Sequence, residues 1–317
     1  MNSADTTTTT SRQAGRDIDW PLILFFVLAY AIAWGVFGLM ALIARQSGVA
    51  DAQTLMALGD GFAFEGVDLS VSPWLVYGLT RIADFAFSIA GVITIAATAG
   101  RAGLRQLWSR LTHWRISPVW YAIGLLPLAL YGVATAIAGG FAAPDFSSEA
   151  ISTALISLQA GFFTSLFLRG AFGEELGLRG FALPRMQQTM TPFRASLIVG
   201  VLWGAWHLPV LIGRDLLSIV AFSLLAIGLS FIFTLLFNGS GGSLIPGLLF
   251  HATQNWEEGF ETLFPALVGT EWELVSTVGL LVIGIVAGVV VWRRGSAGKD
   301  SGLTATAATP PRPQPIG

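Results

Sequence analysis

The chain has 317 residues, 54% of them hydrophobic and only 11% charged, with a formal net charge of −2. That composition excludes an ordinary soluble domain, and arginines scattered through loops exclude a basic nucleic-acid binder. Cysteine is absent, which rules out disulfides, thiolate metal sites and a cysteine nucleophile.

The apolar residues lie in long blocks, and blocks of about 18 or more can cross the hydrocarbon core as helices. The sequence therefore predicts an all-α, polytopic transmembrane bundle of about eight spans. Residues 1–19 read as a flexible polar tail. The first span, 22–44, is too long for a signal-peptide core and is read as a retained helix. An acidic loop follows (Asp51, Asp60, Glu65, Asp68), then a span over 74–99 containing Arg81 and Asp84. Those two are three residues apart on one helical face, so they either pair within the bundle or sit at a wet helix end.

Arg101, Arg105, Arg110, His113 and Arg115 alternate with Leu104, Leu107, Trp108 and Leu111 at helical spacing. This predicts an amphipathic surface helix on the cytoplasmic side. Further spans are read over 120–139, from 151 into the Glu174–Glu175 stretch, over 195–212, 216–237, 244–260 and 274–292. The N-terminal helices and basic segment occupy 20–114 and a motif-bearing core 115–294. A Pro/Ala/Thr-rich tail, 295–317, is read as disordered. With both termini inside, nearly all flanking Arg and Lys fall on the cytoplasmic side and only Arg45 and Arg214 on the other, as the positive-inside rule requires.

Ionisable groups are costly inside a bilayer and mark functional sites. Three groups interrupt the apolar blocks: Glu174-Glu175 with Arg179, Trp203 with His207, and His251 with Asn255. Helical spacing sets Glu175 against Arg179 and leaves Glu174 rotated about 100° away, free for chemistry. Counting inward from the cytoplasmic flanks at about 1.5 Å per residue puts Glu174 about 16 Å deep, His207 about 20 Å and His251 about 14 Å. Those levels predict one shared pocket, opening to the cytoplasm.

Glu-Glu-x-x-x-Arg, aromatic-x-x-x-His and His-x-x-x-Asn, in that order, resemble the CAAX prenyl endopeptidase and bacteriocin-processing family (CPBP, or Abi). The middle motif often begins with Phe where this chain has Trp203. The resemblance implies an intramembrane endopeptidase of the cell membrane that hydrolyses membrane-associated or lipidated peptides with an activated water. Glu174 would be the general base, His207 would share the water, and His251 and Asn255 would stabilise the oxyanion, with Glu175 and Arg179 in support. A mechanism without a metal is favoured; zinc, if used, would fall to Glu174, His207 and His251. The implied partners are a peptide or protein substrate, reaching the site from the membrane or the cytoplasmic side, and the lipid bilayer. Two other readings use the same residues: a non-catalytic immunity or scaffold protein, and a proton-coupled transporter.

Overall fold

A computed structural model describes residues 18–138, 146–256 and 272–300. Of the two terminal tails only 18–19 and 295–300 are among the described residues, and 295–300 continue the last helix instead of starting a disordered tail. Among those described there is no β-strand, and the chain is an all-α membrane bundle.

Helix α1 (Trp20–Gln46) starts where the Asp19 carboxylate accepts from the Leu22 amide at 3.1 Å, which satisfies one of the amides a helix start leaves unpaired. Short α2 (Ala52–Gly61) is capped in the same way by Asp51. Helices α3 (Pro73–Asp84) and α4 (Ala86–Leu111) follow, separated at Phe85. Helix α4 is kinked at Gly100, whose φ of 55° is non-helical. Beyond the kink Leu107 is buried while Arg101, Arg105 and Trp108 are exposed, the amphipathic pattern read from the sequence.

The next span is bent by 46° between α5 (Pro118–Gly124) and α6 (Leu126–Ala138). Then come α7 (Ser148–Ser157), a π-helical stretch over Leu158–Phe163, α8 (Thr164–Leu168), α9 (Gly170–Gly177), a second π-helical stretch over Leu178–Ala182, and α10 (Leu183–Met186). The remainder comprises α11 (Pro192–Trp206), α12 (Leu216–Gly239), α13 (Ile245–Gln254) and α14 (Trp272–Asp300).

Five helical segments among the described residues are long and apolar enough to cross a membrane, or six with the bent pair, rather than the eight expected. The two that fall short carry the histidines. Helix α11 has 15 residues and stops at His207 instead of running to 212, because Pro209 has no amide to continue the ladder and disfavours helix in the residue before it. Helix α13 has 10 residues, with Asn255 as its C-terminal cap; the remainder of the span read over 244–260 lies mostly outside the described residues.

The bundle has two distinct ends. At one, Arg185 pairs with Asp19 at 2.8 Å, Arg110 donates to the Gly180 carbonyl, and the Ser243 hydroxyl donates to the His113 carbonyl at 2.8 Å. At the other, the Ser47 and Ser70 hydroxyls lie 2.9 Å apart, and Gln53 donates to the Ile212 carbonyl at 2.8 Å. Helices α11 and α13 both run from the first end towards the second, and α9 runs back.

Candidate active site

Glu174, His207, His251 and Asn255, singled out from the sequence, all line one cavity of about 770 Å³. Each is carried by a helix that breaks at the cavity. Helix α9 begins after a non-helical Arg169 (φ −137°, ψ −138°), α11 ends at His207, and α13 ends at Asn255. Irregular backbone at membrane depth is tolerated where it faces a cavity or packed protein.

The floor is a buried ionic cluster. Arg179 donates to Glu175 Oε1 at 2.9 Å, and His251 Nδ1 lies 3.0 Å from the same oxygen. Glu175 is fully buried and Arg179 is 2% exposed. The other two guanidinium nitrogens make no hydrogen bond. The guanidinium carbon instead lies 5.0 Å from the Trp203 ring centroid and 4.3 Å from that of Phe233, where the aromatic faces attract the cation. Glu175 therefore does more than the expected pairing with Arg179: it also orients His251. Its charge is held between two donors, and losing either would leave a buried charge poorly compensated.

Glu174 is 6% exposed and accepts a hydrogen bond from the Trp203 indole N–H. The Trp203 ring is thus more than an aromatic wall: its indole is the donor that fixes the carboxylate. A Phe could not do this.

His207 Nδ1 lies 2.8 Å from the Trp203 carbonyl. A carbonyl only accepts, so Nδ1 carries a proton, and in the neutral ring Nε2 keeps its lone pair. His251 is arranged alike, with Nδ1 on Glu175 and Nε2 beside Gly170. A Cβ on Gly170 would stand 2.6 Å from that nitrogen and 3.1 Å from Asn255 Nδ2, so only glycine fits there. Asn255 Nδ2 donates to Ser165 Oγ at 3.1 Å.

Among the described residues no three of His, Cys, Asp and Glu converge closely enough to hold a metal ion. Glu174, His207 and His251 share the cavity wall, and each histidine is held through Nδ1, which turns its Nε2 to the cavity side of the ring.

Several residues of the site were not found from the sequence. Arg169 lines the cavity and pairs with Asp60 at 3.2 Å. Asp60 also binds Arg81, which pairs with Asp84 at 3.1 Å and donates to the Leu168 carbonyl at 2.8 Å. The Arg81–Asp84 pair thus belongs to a four-residue network at the α8–α9 break. The available signal was Arg169 itself, a lone cation five residues before Glu174 in an apolar run. The mouth of the cavity is formed by Asp51, Thr54, Gly213 and Arg214, at the end of the bundle away from Arg110 and Arg185. Counting depth from one flank gives the level of a residue but not the direction in which a cavity opens.

Residues 155–256 match the family described as type II CAAX prenyl endopeptidase Rce1-like. The chain is also 33% identical over 73 residues to a protein named CAAX prenyl protease 2 of Methanococcus maripaludis, a stretch that is 23% of this chain and 22% of that relative. It thus spans about a fifth of the length of the curated relative that it matches. The matched family segment contains both buried carboxylates, both cavity histidines, the indole that holds Glu174 and the capping Asn255, so the likeness falls on the residues that line the cavity.

Proposed function

We propose that this protein is an intramembrane endopeptidase in which Glu174 activates water against a peptide carbonyl. The observation that carries the reading is the joint presentation of Glu174, His207, His251 and Asn255 to one cavity, each on a helix that breaks there. Four polar groups at membrane depth have a desolvation cost that a purely structural role does not offset.

In this mechanism a water bridges Glu174 and His207 Nε2. Glu174 removes its proton as the oxygen attacks the scissile carbonyl carbon. The negative charge that develops on the carbonyl oxygen is met by the Asn255 amide and by His251 Nε2 once that ring is protonated, with Glu175 holding the imidazolium. Fixed donors of this kind are most effective where bulk water is excluded. Collapse breaks the C–N bond, and the proton held by Glu174 passes to the leaving amine. Trp203 keeps Glu174 aimed, and the Glu175–Arg179 pair keeps the floor closed.

A quenched peptide library incubated with the purified protein in detergent tests this reading. Cleavage by the wild type, lost in His207→Ala and unaffected by chelators, is the expected result. Activity abolished by a chelator and restored by zinc would contradict the water-only chemistry. Glu174-dependent ion flux in liposomes without proteolysis would favour a transporter, and neither activity would favour a scaffold.

A further inference from the structure

The cavity mouth and most of the exposed arginines occupy opposite ends of the bundle. Arg101, Arg105, Arg115, Arg194, Arg293 and Arg294 lie at the end where α11 and α13 begin. Two contacts tie their segments together there. A Cβ on Gly295 would lie 3.7 Å from Pro192, and the Leu244 amide donates to the Arg110 carbonyl at 3.1 Å. The far end has Arg45 and Arg214 with Asp51, Glu65, Asp68 and Asp215, and beside α2 the cations Arg81 and Arg169 are matched by Asp60 and Asp84. An asymmetry of this size in short loops fixes orientation, with the basic end in the cytoplasm.

The cavity is walled off from the basic end. Its floor is the Glu175–Arg179–His251 cluster, closed by the rings of Trp203, Phe233 and Phe250, all nearly inaccessible to solvent. None of the six arginines at the basic end lines it. Its mouth is instead built from helix α2 and the loop after His207. Gln53 on α2 bonds that loop through the Ile212 carbonyl, and the exposed Thr54 and Arg214 stand at the rim. Helix α2, 10 residues long, roofs part of the cavity without crossing the membrane.

We infer that the cavity opens to the exoplasmic side of the membrane, and that its substrates are peptide segments presented there, in exported or membrane-anchored chains, rather than cytoplasmic C-terminal tails. The substrate half of this inference rests on the endopeptidase reading; the orientation half does not.

The natural absence of cysteine makes the test direct. Thr54→Cys at the rim and Ser109→Cys on the basic helix, each the sole thiol of its chain, are exposed to a membrane-impermeant maleimide in right-side-out spheroplasts. Asp68→Cys and Gln106→Cys serve as a second pair should either first variant fail to fold. The expected pattern is labelling of positions 54 and 68 in intact spheroplasts, and of 109 and 106 only after permeabilisation. The reverse pattern overturns the orientation and leaves the endopeptidase reading standing. Wild-type sealed vesicles then receive a quenched peptide from outside. Cleavage by right-side-out vesicles, at least tenfold faster than by inside-out ones, is expected. The opposite ratio overturns the substrate assignment. No cleavage in either, or in detergent, overturns the endopeptidase reading and with it the substrate class, while the labelling still reports the orientation.

Discussion

Helices α12 and α14 and the helices α9, α11 and α13 lie in one bundle but are built on opposite terms. Helix α12 runs unbroken for 24 residues, and α14 for 29. Each satisfies its own backbone, and they approach so closely that a Cβ on Gly284 would stand 2.6 Å from the Gly228 Cα. The site helices are 8, 15 and 10 residues long, and their interrupted ends need side chains, ion pairs and rings to satisfy them. The continuous pair contributes packing, including the Phe233 ring over Arg179 and an apolar cavity wall from α12, but no reacting group; the broken trio carries the chemistry and depends on its surroundings for stability. Close packing in a membrane comes from small residues, whereas buried polar groups mark function.

The largest effect is expected at the ionic floor. Arg179→Ala leaves Glu175 buried with only His251 as partner, a change that costs about 3–5 kcal/mol in comparable buried pairs. Unfolding in mixed detergent should shift by that order, with activity lost. If the variant instead keeps wild-type stability, the floor is not what holds the broken helices.

Gly284→Val sharpens the other side. It forces α12 and α14 apart and should destabilise by about 1–3 kcal/mol, the usual range for overpacking. Cleavage per folded molecule should stay near wild type, because neither residue touches the cavity. A selective loss of turnover would show that the scaffold does more than pack.

Trp203→Phe keeps the ring over Arg179 and removes the N–H that Glu174 accepts. A hydrogen bond to a charged group is worth about 1.5–3 kcal/mol, so unfolding should shift by up to that order and kcat/KM should fall by about 10-fold or more. An unaltered rate would return Trp203 to the role of a wall.

The smallest effect is expected at the rim. Hydrogen bonds from the Thr54 amide and hydroxyl hold the Asp51 carboxyl below the usual carboxylate range. A depressed pKa contributes stability above the unfolded value and loses it as pH falls through the folded one. The start of α2 should therefore fray in acid, with faster hydrogen exchange at Thr54, and Asp51→Ala should show that exchange at neutral pH. Asp51→Ala exchange that matches the wild type at both pH values would remove the cap.

Periodicity and charge made much of this legible. The apolar blocks gave the membrane bundle, the amphipathic segment after Gly100 and the extents of α1 and α12, because long helices in lipid are governed by composition. The site residues were legible as types out of place: Glu174, His207 and His251 stand in apolar runs. The breaks at Arg169, His207 and Asn255 were not, although Pro209 was a visible cause of one. Tertiary contacts decide the others, and no local pattern records them. The Glu175–His251 and Asp60–Arg169 pairs are 76 and 109 residues apart in the chain. The direction of the cavity likewise depends on which helix ends meet.

Single-turnover cleavage of one purified peptide by wild type, Glu174→Gln and Glu175→Gln tests the division of labour between the two carboxylates most directly. Loss of a general base typically costs about 10²–10⁴-fold in rate. Glu174→Gln is expected to lose that much while unfolding like the wild type, whereas Glu175→Gln loses stability together with activity. A Glu174→Gln protein that cleaves within tenfold of wild type would contradict Glu174 as the base.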